Sequence, residues 1–358
     1  MARYWVETKD GRKRKTIYGK KRNDVAEELA KVLTDRANGL VYDDENMTVG
    51  EYLDKWLKYS VRGSLRRSTF DCYEVICRRH ITPALGEMKL SKLTPIHVQG
   101  FYQDRLDSGL ASASTHKCHT VLHKALGQAV KWGLIPRNVC DAVKAPQPVP
   151  KEEMRTLSPE ETRRLLETAR GERLEALYVV AVTTGMRQGE LLGLKWHDID
   201  LEAGALRVRR TLTRDGGKVA LGEPKTKKSH RIIHLTETAI QALRAHLKHQ
   251  LDELEQLGDT YQDQGLVFTT ETGTLINPTN LRRRSFAPLL KRAALPQIRF
   301  HDLRHTCATL LLLRNVHPKY VQELLGHSTI AITLDTYSHL IPGMGTYTAR
   351  AMEDVLIR

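Results

Sequence analysis

A proline-rich stretch near the middle of the chain divides the sequence into two parts. In KAPQPVPKEE, prolines occupy three of the five positions from 146 to 150. Because proline fixes its own φ and has no amide hydrogen to donate, this composition predicts a stiff, extended linker rather than a helix or strand. We expect this linker to cover residues 145–152.

A helix start directly beyond this stretch marks the beginning of a second domain. In LSPEE, Ser158 is a good N-cap, Pro159 suits the first helical position, and Glu161 can close a capping box. The sequence therefore predicts a separate domain over residues 153–358.

The part before the linker changes character near residue 46. RYWVET and KRKTIYG, separated by the turn signal Lys-Asp-Gly at 9–11, predict a two-stranded hairpin. Asp24 and Glu27 have the spacing of a capping box and predict the start of the helix VAEELAKVLTDRA. We expect a small, basic hairpin-and-helix domain over residues 1–46.

Residues 47–144 carry helical patterns. TVGEYLDKWLKYS has apolar residues at 49, 52, 53, 56 and 57, and STHKCHTVLHKALGQAVKW has them at 121, 122, 125, 126, 129 and 130. Both stripes have the period of an amphipathic helix. The expected fold class is multidomain α+β: the hairpin and helix, an all-α domain over 47–144, and a mainly helical domain with a small antiparallel sheet.

The overall charge favours a polyanionic partner. The net charge is +14, from 56 Lys and Arg against 42 Asp and Glu, which favours nucleic acid, although basic enzymes with small anionic substrates also exist. No apolar run approaches the ~18 residues of a membrane span. The charged start MARYWVETKDGRKRK does not resemble a signal peptide. Five scattered cysteines predict reduced thiols, so we expect a cytoplasmic protein without a membrane partner.

The hairpin concentrates part of this charge. Arg12, Lys13, Arg14 and Lys15 follow one another in its second strand. They form either a solvated face or a contact to DNA, because a two-stranded ribbon fits a major groove.

Two arginines lie at helical spacing from other polar side chains. Arg187 precedes Glu190 by three residues, so both lie on one helix face. A surface ion pair is the simpler interpretation, but Glu190 can also hold the guanidinium while a ligand phosphate binds its other edge. His301 precedes Arg304 by the same spacing.

Three further polar residues follow turns or helix ends. ALRVRRTLT and EPKTKKSHRIIHL predict a small antiparallel sheet, with Lys225 in a turn after Pro224. Most of the cations from 225 to 231 fit an exposed edge. YVQELLGHS predicts a helix that ends at Gly326, so that His327 follows the break, and Tyr337 comes ten residues later.

Together these side chains fit metal-free phosphodiester transfer. Two guanidinium groups can stabilise the negative charge of the transition state. A tyrosine nucleophile needs a proton acceptor, and a departing 5′ oxygen needs a proton donor. His301, His305 and Cys307 match no usual zinc ligand set. We therefore expect neither a metal ion nor another cofactor.

The segments GMRQGELLGLKWHDID, HDLRHTCATLLL and LLGHSTIAITLDTYSHL resemble, in this order, the conserved boxes of the tyrosine recombinases, the phage integrase family. The resemblance covers residues 47–358, and the LDTYSH ending is most similar to integrases of phages and conjugative elements. It implies an arm-site DNA-binding domain over 1–46, possibly lacking a strand, a core-binding DNA domain over 47–144 and a catalytic domain over 153–358.

The resemblance implies catalytic roles for Arg187, Lys225, His301, Arg304, His327 and Tyr337. The two arginines would bind the scissile phosphate and the tyrosine would attack it. The lysine would protonate the leaving 5′ oxygen, although Lys227 and Lys228 lie close to Lys225. The first histidine would accept the tyrosine proton, the second would donate a hydrogen bond to the phosphate, and Glu190 and His305 would support the site.

The implied reaction cuts and rejoins DNA strands through a 3′-phosphotyrosine and a Holliday junction. Such an integrase acts on double-stranded attachment sites as a homotetramer, needs no ATP, and can use a host DNA-bending protein and a directionality factor. The alternatives are a Xer-like dimer resolvase, a type IB-like topoisomerase, or a DNA-binding regulator without catalysis.

Overall fold

The computed structural model contains two compact units, Met1–Lys151 and Glu152–Arg358. It describes residues 1–8, 11–19, 21–37, 46–149, 155–215, 218–223, 230–337, 352–354 and 356–357. Among these, no helix is both long and apolar enough to cross a lipid bilayer.

The chain begins with the predicted hairpin. Strands β1 (Ala2–Thr8) and β2 (Gly11–Ile17) pair antiparallel, and helix α1 (Arg22–Ala37) follows. The helix starts before Asp24, so the prediction that Asp24 is its N-cap was wrong. An acidic residue in the first turn still interacts favourably with the helix dipole. Arg14 is exposed, whereas the side chains of Arg12, Lys13 and Lys15 lie outside the described part of the structure.

The described residues from 46 to 149 fold as a helical bundle. Its helices are α2 (Val49–Trp56), α3 (Arg67–Ile76), α4 (Thr82–Leu85), α5 (Pro95–Asp107) and α6 (Ser112–Lys131). Wider π-helical turns extend two of them, over Leu57–Val61 after α2 and over Cys77–Ile81 after α3.

The predicted apolar stripes form the core of this bundle. Val49, Tyr52, Leu53, Trp56 and Leu57 are all buried. They belong to one apolar cluster with five of the six predicted positions of α6, residues 121, 122, 125, 126 and 129. A capping box that the sequence analysis had not singled out starts α2.

The described part of the proline-rich stretch packs on α6. The Pro146 carbonyl shares a hydrogen bond of 2.8 Å with Nδ1 of His116, and the Val149 amide donates to Ser112 Oγ at 3.1 Å. Although prolines supply no amide donors, the neighbouring helix thus gives the remaining polar groups of this segment hydrogen-bond partners.

The second unit opens with helices α7 (Pro159–Ala169), α8 (Glu175–Thr184) and α9 (Gln188–Leu192). The predicted capping box of α7 is confirmed: the Glu161 amide donates to Ser158 Oγ at 3.1 Å, and the Ser158 amide donates to Glu161 Oε2 at 2.9 Å. Helix α8 lies in the apolar core of this unit and is buried along almost its whole length.

Five short strands follow: β3 (Ile199–Asp200), β4 (Ala205–Val208), β5 (Thr211–Asp215), β6 (Lys218–Gly222) and β7 (Arg231–His234). An antiparallel sheet has the order β3-β4-β7, and β5 pairs with β6 as a separate hairpin. The predicted small antiparallel sheet is therefore present. Lys225, Lys227 and Lys228 lie outside the described residues.

The rest of the second unit is helical. Its elements are α10 (Glu237–Leu257), α11 (Pro278–Asn280), α12 (Ala287–Arg292), α13 (Asp302–Leu313), α14 (Pro318–Leu325) and α15 (Ile330–Tyr337). The last three helices surround a small apolar cluster of their own.

Candidate active site

Two glycines that end helices hold the two predicted arginines. Gly185 follows α8 with φ of 60°, and Gly326 follows α14 with φ of 66°. The Gly185 carbonyl accepts from Nη1 of Arg304 at 2.8 Å, and the Gly326 carbonyl accepts from Nη2 of Arg187 at 3.3 Å. Because the C-terminus of a helix carries partial negative charge, both positions favour a guanidinium.

Both glycines are required by space as well as by conformation. A Cβ on Gly185 would lie 2.6 Å from Cδ2 of Leu325, and one on Gly326 would lie 3.1 Å from Nη1 of Arg231. Residues other than glycine also disfavour positive φ. Any side chain at either position would therefore disturb an arginine site.

The predicted pairing of Arg187 with Glu190 is present. Arg187 is the N-cap of α9; its Nη1 donates to Oε1 of Glu190 at 2.7 Å and its amide donates to Oε2 at 3.1 Å. The Glu190 side chain is 3% exposed, whereas that of Arg187 is 38% exposed. Glu190 thus holds one side of the guanidinium and leaves another side open to a ligand.

Arg304 is a buried cation. The residue is 3% exposed, and among the described residues no carboxylate forms an ion pair with it. Burial, followed by the positive charge of Arg187, lowers its pKa to about 9, so it still carries its charge at neutral pH. An uncompensated buried cation is costly unless an anion binds beside it.

Three imidazoles lie near this charge. Burial lowers the pKa of His305 and of His327 to about 4, with the charges of His301 and Arg304, respectively, as the next causes. His301 keeps contact with solvent, but desolvation by the surrounding protein and the charge of Arg304 lower its pKa too. All three rings are therefore neutral at pH 7 and able to exchange protons.

Tyr337 is the last residue of α15 and is completely buried, at 0% exposure. Its ring packs in the small cluster with Ala308, Leu312, Val321 and Leu325. Burial raises its pKa to about 12, despite the opposing charge of Arg304. In this structure the phenol is therefore protonated and covered by protein.

The Tyr337 hydroxyl shares a hydrogen bond of 2.6 Å with Nδ1 of His305. His301, for which the resemblance implied the role of proton acceptor, lies one step further away: its ring is perpendicular to that of His305, with centroids 4.9 Å apart. His327 Nδ1 instead shares a 2.9 Å hydrogen bond with Oγ1 of Thr333.

The structure thus brings together five of the six predicted catalytic residues, and Lys225 lies outside its described part. It also adds Arg231, which the sequence analysis did not single out. Arg231 pairs with Val208 across the sheet and lies two residues before the buried Ile233, hence on the same face of β7. The two-residue alternation of a strand was the signal that could have identified it as inward-facing.

This arrangement places a group of arginines near a tyrosine hydroxyl, on a mainly helical unit that follows a helical bundle in the chain. Residues 155–343 match the phage integrase family, and residues 48–106 match the N-terminal SAM-like domain of phage integrases. The chain belongs to the phage integrase family, as the resemblance of its sequence boxes indicated.

Relatives extend over most of the chain. A tyrosine recombinase XerC-like protein of Caldanaerobacter subterraneus subsp. tengcongensis is 36% identical over 362 residues, covering 96% of this chain and 92% of that protein. The ICEBs1 integrase of Bacillus subtilis is 28% identical, covering 78% of this chain and 76% of that protein. The Tn1549 transposon integrase, solved in complex with a circular intermediate DNA, has the same fold, with a TM-score of 0.72 and 23% identity over 87% of this chain and 100% of that one.

Proposed function

We propose that this chain is a site-specific DNA recombinase that integrates or excises a mobile element or phage genome. It would cut and rejoin DNA strands through a 3′-phosphotyrosine on Tyr337 and a Holliday junction. The observation that carries this proposal is the grouping of Arg187, Arg304 and Tyr337 around one cationic site in a member of the phage integrase family.

The arginines account for binding and for transition-state stabilisation. Arg187 has a guanidinium edge open to a phosphate, and Arg304 supplies a charge that no described carboxylate neutralises. As Tyr337 attacks, negative charge grows on the non-bridging oxygens, and preorganised donors stabilise it without having to move. His327, beside Arg304, would donate a further hydrogen bond to the phosphate.

The same geometry supports a route for the tyrosine proton. The Tyr337 oxygen forms the bond to phosphorus, its proton passes to an imidazole, and the bond from phosphorus to the 5′ oxygen breaks. His305 is the imidazole in contact with the hydroxyl, and His301 lies next to it as the acceptor implied by the resemblance. Lys225 would protonate the leaving oxygen. Because the phosphotyrosine conserves the energy of the bond, no ATP is needed, and the two arginines would stabilise the charge that a metal ion stabilises in other phosphoryl transfers.

The buried position of Tyr337 adds a requirement. Its hydroxyl has to meet the phosphate, so binding of DNA must uncover the phenol.

We expect double-stranded attachment sites as the substrate and four copies of the chain around two duplexes. A host DNA-bending protein and a directionality factor would assist, and the hairpin domain with Arg12, Lys13, Arg14 and Lys15 would bind arm sites.

The test is covalent capture. The purified chain first selects its binding sequence from a pool of random duplexes. A duplex of that sequence is then nicked close to the cleavage point, so that the short fragment released by cleavage diffuses away and cannot be rejoined. This duplex should trap a protein–DNA adduct that survives denaturation. Tyr337→Phe should abolish the adduct and keep DNA affinity within about threefold, because it removes only the attacking oxygen.

The matched control is Tyr320→Phe, which removes the same atom from an exposed tyrosine of the same unit. It should form the adduct at the wild-type rate. Binding without any adduct from the wild-type chain would instead identify a DNA-binding regulator. An adduct with Tyr337→Phe would exclude Tyr337 as the nucleophile.

A further inference from the structure

Arg231 is an arginine with a largely covered side chain that binds two parts of the candidate active site. Its side chain is 8% exposed. Nη2 donates to Oε2 of Glu190 at 3.0 Å, and Nε donates to the carbonyl of Leu324, in the last turn of α14, at 2.6 Å. One side chain of β7 thus joins α9 to α14.

The carboxylate of Glu190 binds both arginines. Oε1 accepts from Nη1 of Arg187, and Oε2 accepts from Nη2 of Arg231 and from the Arg187 amide. A hydrogen bond from a guanidinium to a carboxylate is stronger than one from a neutral amide, so Arg231 is the stronger partner of Oε2. The orientation of the carboxylate, and with it that of the Arg187 guanidinium, therefore depends on the second arginine.

Arg231 also fixes the other acceptor of Arg187. Gly326 lies against the Arg231 side chain, so closely that a Cβ there would be 3.2 Å from its Cδ. The Gly326 carbonyl accepts from Arg187, and His327 is the next residue. Through Leu324 and Gly326, Arg231 holds the backbone that leads into His327.

We propose that Arg231 is a positioning residue, which keeps Glu190 and Gly326 in place so that the guanidinium of Arg187 is directed at the scissile phosphate. This inference rests on the proposed recombinase function. Arg231 itself does not touch the phosphate; it acts through the two groups that hold Arg187.

The charges around Glu190 give this role a signature in pH. Burial raises the pKa of Glu190. The charges of Arg231 and then of Arg187 lower it by more than burial raises it, so the pKa is below the usual value. Arg304 is the other charged group near this carboxylate. Without Arg231 the effect of burial is less opposed, so Glu190 should become protonated at a higher pH and release Arg187.

The experiment measures single-turnover cleavage of the nicked duplex by DNA-bound full-length protein, so that unfolded protein does not contribute. Arg231→Gln, which keeps much of the volume but not the charge, should slow cleavage on the order of 100-fold, the cost of misplacing a group by about 1 Å. The acid limb of its pH–rate profile should move to higher pH, while DNA affinity stays within about threefold of wild type.

Arg231→Lys restores the charge and should recover part of the rate, with an acid limb close to that of wild type. The matched control is Arg244→Gln, because Arg244 forms an exposed ion pair with Glu202 in the same unit. It should change neither the rate nor the profile.

The outcomes separate the two proposals. If the wild-type protein cleaves DNA and Arg231→Gln cleaves it at the same rate with an unchanged acid limb, the positioning role is overturned but the recombinase function is not. The positioning role is also overturned if Arg231→Gln is slower, its acid limb does not move, and Arg231→Lys is as slow as Arg231→Gln. That result is the behaviour of a merely structural residue. Absence of any wild-type adduct overturns the recombinase function and, with it, this inference.

Discussion

The two units of the chain bury different kinds of side chain. Among the described residues, the buried acids, bases and histidines all lie in the second unit, and they are Glu190, Asp198, His246, Asp302 and Arg304. The buried polar residues of the first unit are Thr115 and Asn138, both uncharged. The apolar stripes of the first unit explain its core, whereas the second unit has charges that packing alone does not require.

Burial of charge does not by itself identify the site. Asp198 lies beside Arg210 and, at 3.8 Å, Arg209, and Asp302 pairs with Arg299; all three arginines reach solvent. Around Glu190 three arginines (187, 231 and 304) lie near one carboxylate, and Arg304 among them is buried. A buried excess of positive charge favours a bound anion, whereas solvent screens the arginines beside Asp198 and Asp302.

The largest expected effect on the adduct rate comes from Arg304, the buried cation that has no ion-paired carboxylate among the described residues. Arg304→Met should slow formation of the covalent adduct by about 10²–10³-fold or more, the cost of losing a donor to a developing oxyanion. Stability should be unchanged or higher, because the variant removes a buried cation close to two others. Adduct kinetics and thermal unfolding are measured on the same preparation.

Arg173→Met is the contrasting variant. Arg173 forms an ion pair with Glu253 and donates to the carbonyls of Thr269 and Thr270. Its loss should lower the free energy of unfolding by about 3 kcal/mol, since it leaves a largely buried carboxylate unpaired. If Arg304→Met destabilises the protein as much as Arg173→Met, the distinction between the two kinds of buried arginine is wrong.

An effect of intermediate size, a loss of stability, should appear when the pH is lowered. The pKa values of His301, His305 and His327 are lowered, the latter two to about 4, whereas an unperturbed histidine has a pKa of 6.5. Between these values the unfolded chain binds protons that the folded chain does not, so stability is complete above pH 6.5 and is lost as pH falls toward 4. Burial also lowers the pKa of His246, in the second unit but outside the candidate site, and of His119 in the first unit.

Hydrogen exchange at pH 7 and pH 5 can compare the two units directly. Protection should decrease more in the second unit than in the first. His305→Asn should reduce the difference, while His249→Asn, a change at an exposed position of α10, should leave it unaltered. Equal losses in both units would contradict the greater acid sensitivity of the second unit, and an unchanged difference in His305→Asn would contradict its assignment to the candidate site.

The smallest effect belongs to the first unit. The Tyr102 hydroxyl shares a 2.8 Å hydrogen bond with Nδ1 of His119. Tyr102→Phe should lower the free energy of unfolding by about 1 kcal/mol, the usual contribution of one hydrogen bond. Denaturant unfolding measures this loss. The adduct rate per folded molecule should not change, and a tenfold slower rate would show that the first unit's interior also controls catalysis.

The sequence allowed prediction of those features that depend on neighbours in the chain. The stripes of α2 and α6, the capping box at Ser158, and the pairing of Arg187 with Glu190 all involve spacings of three or four residues. Asp24 shows the limit of such reasoning, since capping-box spacing does not ensure that a helix starts there. The hairpin and the small sheet followed from alternation and turn signals.

The remaining features depend on tertiary contacts. Arg231 reaches Glu190 and Leu324 across 41 and 93 residues, and His305 reaches Tyr337 across 32. No local pattern states that β7 and α14 meet. The resemblance to a family indicated candidate catalytic residues, but the burial of the tyrosine and the histidine that contacts it became visible only in the fold.

The acceptors that hold Arg187 and Arg304 at helix ends are main-chain carbonyls, which every amino acid supplies. No codon change can delete these two oxygen atoms. A genetic screen for loss of recombination should therefore find lesions at Gly185 and Gly326, where a new methyl group displaces the peptide that presents the oxygen. In the second unit two residues without side chains would be among the least replaceable positions.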